Sequence, residues 1–451
     1  MKSQLEQLLR AAVGRLSEEV LPRPPSALQI VVERTRDAQH GDFASNVALR
    51  LAGAAHPGDL ARAIVEALPP NPLIARAEVA GAGFINIYLT PEAFSQELSA
   101  IHESSERYGR SGLGQGVKVV VEFACAPTDR PSHIGHGREE AYSAALANLF
   151  AATGFDVHLE CYVQSLVDTG AADRALALLE AQGHLYTNDG ATWFRGTEFG
   201  DSQDRVVVKG DGGRTCFAFD VAHHLEKRER GFGRLVDVLS ADHQGHFAQL
   251  RAALEAMGER SDGLEVDLVQ SVSLVRRRRK IPAVTLRELW EEVGKDACRF
   301  FFLLRSHDQP LDFDVDLAKS RTNENPVYYV QYAHARVASV LKQLKAGELA
   351  FDRAEGLDNA AALTGEQEQP LLKMLTSYPE IVEHAATNRA PHAVVHYLRE
   401  LANAFHTYYN AQQLIVPESK IRNARIALAL GVQQVIRNGL TLIGVSSPDT
   451  M

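Results

Sequence analysis

The sequence predicts an α/β protein: a central parallel-sheet domain, a small α/β domain before it and an all-helical domain after it. Three observations carry this. The stretch Val119 to Gln164 reads as strand, turn, helix and second strand. A linker with four glycines in eight residues, Gly109 to Gly116, precedes it. The last third of the chain carries only helical apolar periodicity.

The first region, 1–108, opens on an amphipathic stretch, MKSQLEQLLRAAVGRL, which contains an acid and so reads as a helix of the fold and not as an export signal. It ends on the strand GAGFINIYL and a helix begun by Pro91. The second region, 117–315, alternates strands and helices with insertions. Its helix after His133 has apolar Tyr142, Ala145, Leu146, Leu149 and Phe150, the i, i+3, i+4, i+7, i+8 set of a buried face. Gly154 is placed to stop that helix in a left-handed cap. Val157, Leu159, Cys161 and Val163 then alternate with polar residues, as in a half-buried strand. The third region, 316–451, has faces such as Val395, Leu398, Leu401, Ala402 and Phe405, a bundle pattern; polar 345–369 reads as a loop between helices.

Composition narrows the classes. The chain has 451 residues, 45% of them hydrophobic and 23% charged, which fits a globular protein of two or three domains. No apolar run of 18 residues exists, so no membrane partner is expected. Four scattered cysteines without a Cys-x-x-Cys pair suggest a reduced, cytoplasmic chain. A net charge of -10 argues against indiscriminate nucleic-acid binding, yet leaves room for local basic surfaces. A monomer is expected.

His133-Ile134-Gly135-His136 is the chemical centre of the sequence. Two imidazoles at a helix start sit among free backbone N–H groups and a positive dipole end, a setting that suits phosphate. A lone His-x-Gly-His is a weak signal, but its flanks are informative. The segment resembles the nucleotide-binding signature of class I aminoacyl-tRNA synthetases, and the rest of the chain resembles the arginyl-tRNA synthetase family. Matching stretches run from His40-Gly41-Asp42-Phe43-Ala44-Ser45-Asn46 and Gly83-Phe84-Ile85-Asn86 to Asn325-Pro326-Val327-Tyr328-Tyr329-Val330-Gln331-Tyr332-Ala333-His334-Ala335-Arg336. Asp204 to Val208 and Ala218 to Ala222 resemble the family's central strands. The resemblance implies a Rossmann-like catalytic domain, an N-terminal tRNA-contacting domain and a helical anticodon-binding-like domain. It further implies ATP with Mg, tRNA and a small amino acid or other acceptor as partners. His133 and His136 would be catalytic. Gly135, Asp242, His243, Gln270 and Arg278 would join them around ATP, and Asn46, Phe84, Asn86, Tyr328, Gln331, Tyr332 and Arg336 would face tRNA.

Departures from the family gather in the implied amino-acid pocket, formed by Glu122, Cys125, Pro127, Ser165, Cys216 and Asp220. Cys125 and Pro127 stand where the family usually has Ser and Asn, Ser165 where it has Asp and Cys216 where it has Tyr; Asp220, its carboxylate for the guanidinium, is retained. Each lost hydrogen bond to a charged ligand costs about 1.5–3 kcal/mol. The Lys-Met-Ser-Lys-like loop is replaced by Val275-Arg276-Arg277-Arg278-Arg279-Lys280, and a long helical stretch after the second strand is missing. That basic run reads equally as a phosphate loop, a nucleic-acid patch or a solvated turn. The aromatics near Tyr328 and Tyr408 suit base stacking but, at helical spacing, suit the core better. His223, His224, His243 and His246 lack a placed third ligand, so no protein-bound metal is expected. Three functions follow: aminoacyl transfer chemistry in a remodelled pocket, arginine–tRNA ligation, or non-catalytic tRNA binding.

Overall fold

The computed structural model describes the chain except residues 18–19, 21–29, 36, 53–55, 125–131, 163–168, 244 and 260–262 and the side chains of 38, 124, 169, 243 and 246. Cys125, Pro127 and Ser165, and the side chain of His243, therefore lie outside the described residues. The chain divides into two compact units.

The first unit comprises Met1–Ser105, Val340–Ser377 and Ala404–Gln434. Helix α1 (Lys2–Val13) buries Leu5, Leu9, Ala12 and Val13, the one-face spacing read from its sequence. Strands β1 (Val32–Arg34), β2 (Phe43–Ser45), β3 (Ile74–Ala80) and β4 (Phe84–Leu89) form an antiparallel sheet in the order β1-β2-β4-β3. Helices α2 (Val47–Leu51) and α3 (Pro57–Glu66) lie between β2 and β3 in the chain. Helix α4 (Pro91–Ser104) starts where Thr90 accepts from the Ala93 amide, and Pro91 fills the first turn, where no donor is needed. Gly41 is obligatory: its φ is 82°, and a Cβ there would meet the Ile87 carbonyl oxygen at 2.6 Å.

The second unit comprises Glu106–Ser339, Tyr378–Asn403 and Val435–Met451. Its centre is a fully parallel sheet of β5 (Lys118–Ala124), β6 (Asp156–Tyr162), β10 (Arg234–Ser240) and β11 (Leu264–Val269), in the order β11-β10-β5-β6. Val119, Val120 and Val121 are all fully buried, because β5 is an inner strand covered on both faces. β6 is the sheet edge, and the expected alternation does not bury its apolar residues: Leu159 is 45% exposed. Helix α5 (Ile134–Ala152) crosses from β5 to β6 and stops before Gly154, whose φ is 87°, as the sequence suggests.

After β6 come α6 (Thr169–Ala181), the antiparallel meander β7 (Leu185–Asn188), β8 (Ala191–Phe194) and β9 (Arg205–Val208), then α7 (Cys216–Glu229). Phe194, Val207, Phe217, Ala218 and Val221 share one buried cluster with Ala171, Ala172 and Ala175 of α6. Only part of the central-strand expectation holds here. Arg205 to Val208 is a strand, but Ala218 to Ala222 lies inside α7, where Phe217, Ala218, Val221, Ala222 and Leu225 bury a helical face.

Helix α8 (His246–Ala256) links β10 to β11, and β12 (Val272–Arg276), β13 (Arg279–Ile281) and β14 (Leu311–Asp314) form a smaller sheet. Helices α9 (Leu286–Val293) and α10 (Lys295–Phe302) precede β14, and α11 (Val315–Lys319) follows it. The remainder is helical: α12 (Pro326–Ala346), α13 (Arg353–Asp358), α14 (Glu368–Thr387), α15 (Pro391–Ala411) and α16 (Ser419–Leu442). The four long ones each give residues to both units. α13 corrects the loop expected at 345–369: Asp352 accepts from the Glu355 amide and nucleates a short helix there. No helix among the described residues is long and apolar enough to cross a membrane.

Candidate active site

Parallel strands bring their carboxyl ends to one edge, and the signature helix begins there. His133 caps α5, its Nδ1 accepting from the Gly135 amide at 3.0 Å. A ring nitrogen that accepts leaves the proton on Nε2, so His133 presents a donor outward. His136 stacks on it with ring centroids 3.6 Å apart, and its Nδ1 is buried without a hydrogen-bond partner among the described residues. Burial, and then the neighbouring His133, hold the His136 imidazole below its ordinary pKa. The helix start is braced from the segment after the basic run. Leu286 donates its amide to the Ser132 carbonyl at 2.9 Å, and Thr285 bridges His133. A Cβ on Gly137 would lie 2.4 Å from Leu286 Cδ1, so a larger residue here would have to push the Leu286 side chain aside. Thr285 and Glu288 form a capping box that fixes α9.

One turn further, Arg138 is buried and gathers the loop after α10. Its guanidinium donates to the carbonyls of Gln270 at 2.9 Å, Gln309 at 2.8 Å and Ser306 at 2.9 Å. Gln270 is thereby positioned through its backbone at the end of β11. Asp242 is exposed in the turn after β10. Glu139, on the same helix, is buried, and burial pushes its carboxyl up to about 7.

The basic run forms a hairpin of β12 and β13, and not a long flexible loop. Arg277 and Arg278 occupy its two turn positions with φ 50° and 61°, a type I′ geometry that ordinarily selects Asn and Gly. Arg276 pairs with Glu292 at 2.7 Å, and the Arg277 amide donates to Asp316 at 3.0 Å; the Arg278 side chain is exposed.

The described residues of the implied amino-acid pocket, and the groups that pair with them, lie on a wall of β5, β6, β10 and α7. Glu122 is buried, with Lys227 Nζ at 2.9 Å from Oε1 and His223 Nε2 on Oε2. Lys227 is fully buried and also meets Asp237 at 3.2 Å. His224 lies between acceptors, 2.7 Å from Asp237 Oδ2 and 2.8 Å from the Asp220 carbonyl. Burial would raise Glu122 and Asp237, but the Lys227 ammonium together with His223 at Glu122 and His224 at Asp237 outweighs it and holds both carboxyls below their usual range. The carboxylates in turn hold Lys227 above its ordinary value, against burial. Tyr162, the last residue of β6, donates its hydroxyl to Asp220 Oδ1 at 2.5 Å, and its ring lies 4.7 Å from that of His223. Burial and Asp220 push the Tyr162 phenol well up. Cys216 is exposed at the start of α7.

Ligand atoms of Glu122, His224 and Asp237 lie within 4.8 Å of one another, but the Lys227 ammonium already sits between the two carboxylates. The sequence reading missed Lys227, Asp237 and Tyr162. One signal was available: Asp220, His223, His224 and Lys227 fall at i, i+3, i+4 and i+7, one polar face of a helix. The cysteine expectation is corrected, since Cys161 is disulfide-bonded while Cys216 and Cys298 are free. Parallel pairing of β5 and β6 aligns Phe123 with Cys161, an adjacency that spacing along the chain conceals.

The implied tRNA-facing residues are distributed over both units. Phe84 is 45% exposed on β4, Asn86 is buried beside it, and Asn46 stands at the start of α2. On α12, Tyr328 stacks near Tyr332, and the Arg336 guanidinium lies 4.7 Å over the Tyr332 ring. Gln331 is buried, donating to Asp296 at 2.9 Å and to the Ser446 carbonyl at 3.0 Å. Tyr408 and Phe405 are fully buried, in agreement with core aromatics.

Two family models match: an arginyl tRNA synthetase N terminal domain over residues 3–89 and a DALR anticodon binding domain over 330–451. An arginine–tRNA ligase of Thioalkalivibrio sulfidiphilus is 40% identical, with the alignment covering 100% of both chains. One from Coxiella burnetii is 36% identical with the same coverage. The first alignment spans 586 positions and this chain has 451 residues, so about 135 positions of the alignment have no residue here. Among solved structures, Thermus thermophilus arginyl-tRNA synthetase superposes with a TM-score of 0.80 at 20% identity, covering 100% of each chain.

Proposed function

Because the chain belongs to the arginyl-tRNA synthetase family, we propose that it binds tRNA and ATP, as the Mg complex, and carries out aminoacyl transfer chemistry in a remodelled amino-acid pocket. The acyl group would come from an amino acid other than arginine or from a charged tRNA. The observation that carries this reading is the pairing among the implied pocket residues: Asp220, the carboxylate implied for a guanidinium, already accepts from Tyr162, and Glu122 already holds His223 and Lys227. The ATP side is supported by the buried Nδ1 of His136, without a partner among the described residues, beside the outward donor of His133. Such groups suit charge that grows on a phosphate during in-line displacement. In this reading residues 1–108 and 316–451 contact tRNA, and 117–315 holds the chemistry.

Arginine–tRNA ligation is the second reading. It is favoured by 40% identity along the full length of a relative bearing that name, and by retained Asp220. Pyrophosphate exchange with each amino acid, run beside filter binding of tRNA and of an unrelated structured RNA across salt, separates the readings. Exchange driven by another amino acid, or none with charged tRNA consumed, supports the remodelled pocket. Robust arginine-dependent exchange promotes the second reading. Specific tRNA binding without exchange or transfer leaves a regulator. Specific binding should weaken steeply with salt, as counterion release requires; equal, weak binding to both RNAs defeats the proposal.

A further inference from the structure

We infer that His223 and Tyr162 are specificity-determining residues that close the pocket to guanidinium side chains and leave it to substrates whose side chain is uncharged. This rests on the reading of this site as an amino-acid pocket. A planar cation is held by carboxylate oxygens placed to accept a fork of N–H groups. Two carboxylates face this wall from different elements, Glu122 from β5 and Asp220 from α7. Both already accept from the protein itself. Glu122 gives one oxygen to Lys227 at 2.9 Å and the other to His223 Nε2. Asp220 gives Oδ1 to the Tyr162 hydroxyl at 2.5 Å.

These donors are not loose surface groups that an incoming ligand brushes aside. Lys227 is fully buried, and only 18% of the His223 side chain is exposed. The two capping rings support each other at 4.7 Å, and His223 and Asp220 lie one turn apart on α7. His224, the next residue, is locked between Asp237 and the Asp220 carbonyl, which fixes the rotation of the helix. A guanidinium entering here must displace an imidazole and a phenol from charged acceptors and leave their polar atoms to find new partners. A neutral ligand needs neither carboxylate as a counter-charge, so it can bind with both pairings intact. Citrulline is that ligand, since it replaces the guanidinium of arginine with an uncharged urea.

Calorimetry with arginine and with citrulline tests this directly. The unmodified protein should bind arginine no more tightly than citrulline. Tyr162→Phe with His223→Ala should gain about tenfold or more for arginine, the scale of one recovered charged hydrogen bond, with no matching gain for citrulline. Tyr162→Phe alone removes one hydroxyl, and circular dichroism verifies that each variant is folded. If the double variant does not fold, the single variant decides through the same shift toward arginine. A tenfold preference for arginine in the unmodified protein overturns the inference, as does a folded variant that gains none or binds neither ligand. Gained arginine binding with neither pyrophosphate exchange by any amino acid nor consumption of charged tRNA would keep this inference and defeat the catalytic reading.

Discussion

The start of α5, implied for ATP, and the wall formed by β5, β6, β10 and α7, implied for the amino acid, are built on opposite principles. At the helix start, His136 keeps a buried nitrogen without a partner among the described residues, and His133 directs a donor outward. In the wall, each buried charge has an answering charge from the chain: Lys227 against Glu122 and Asp237, His224 against Asp237. A buried polar group left unmatched is a standing cost that a ligand can relieve. A matched one gives a ligand nothing to relieve. The first region is organised to receive, the second to hold its own shape.

The most direct way to break this contrast is to remove the cation from the wall. Lys227→Met leaves Glu122 and Asp237 buried without their ammonium, and should lower stability by about 3–5 kcal/mol. Urea denaturation measures it. Folded protein at low urea should still bind ATP, because α5 does not depend on that charge. Stability changed by less than about 1 kcal/mol would mean that the wall does not need its internal pairing.

Glu139 gives the next largest effect and bears on the receiving region. Its carboxyl is pushed up by burial to about 7, from an ordinary 4.5. A folded-state value above the unfolded one means that the native protein holds the proton more tightly. The stabilisation is therefore complete below about 4.5 and is lost as pH rises toward 7, a change of about 3 kcal/mol. Glu122 and Asp237 run the other way: both are depressed, so their contribution is present at neutral pH and lost in acid. Glu139→Gln should flatten the fall between pH 4.5 and 7 while the acid limb persists; an unchanged profile would discount Glu139.

What the sequence disclosed, and what it concealed, follows the same division. The βαβ unit, the stop at Gly154 and the histidines at the helix start were readable because they depend on local periodicity and capping. The wall was not, because its pairs join residues far apart in sequence: parallel pairing sets Glu122 opposite Asp237, and α7 brings Lys227 to both. Ala218 to Ala222 is assigned to the central strands by resemblance alone; the Thr215 cap and the helical burial of Phe217, Ala218, Val221 and Ala222 decide for helix. The edge position of β6 was equally hidden, as strand order does not follow from alternation.

His136→Ala tests the receiving region itself. Removing a donor to a charged phosphate should weaken ATP binding by about 1.5–3 kcal/mol, roughly ten- to a hundredfold. Stability should change little or improve, since the variant also removes a buried nitrogen that has no partner among the described residues. Calorimetry showing undiminished ATP binding would count against the site, and a large loss of stability would move His136 to the structural side of the comparison.

The smallest effect belongs to the hairpin of β12 and β13, which belongs to neither region until tested. Arg277 and Arg278 adopt positive φ, where a side chain costs roughly 1 kcal/mol relative to glycine. The backbone needs no arginine: the Arg277 amide, not its side chain, makes the bond to Asp316. Arg277→Asn with Arg278→Gly supplies the residues that this turn favours and should stabilise the protein by about 1 kcal/mol in thermal or urea unfolding. The two guanidinium groups are then the only loss. If ATP binding is unchanged, the basic run is a solvated turn, and its strain has no ligand to account for it. If binding weakens as stability rises, the hairpin joins the helix start as a strained element retained for phosphate, the trade expected where function and local preference conflict.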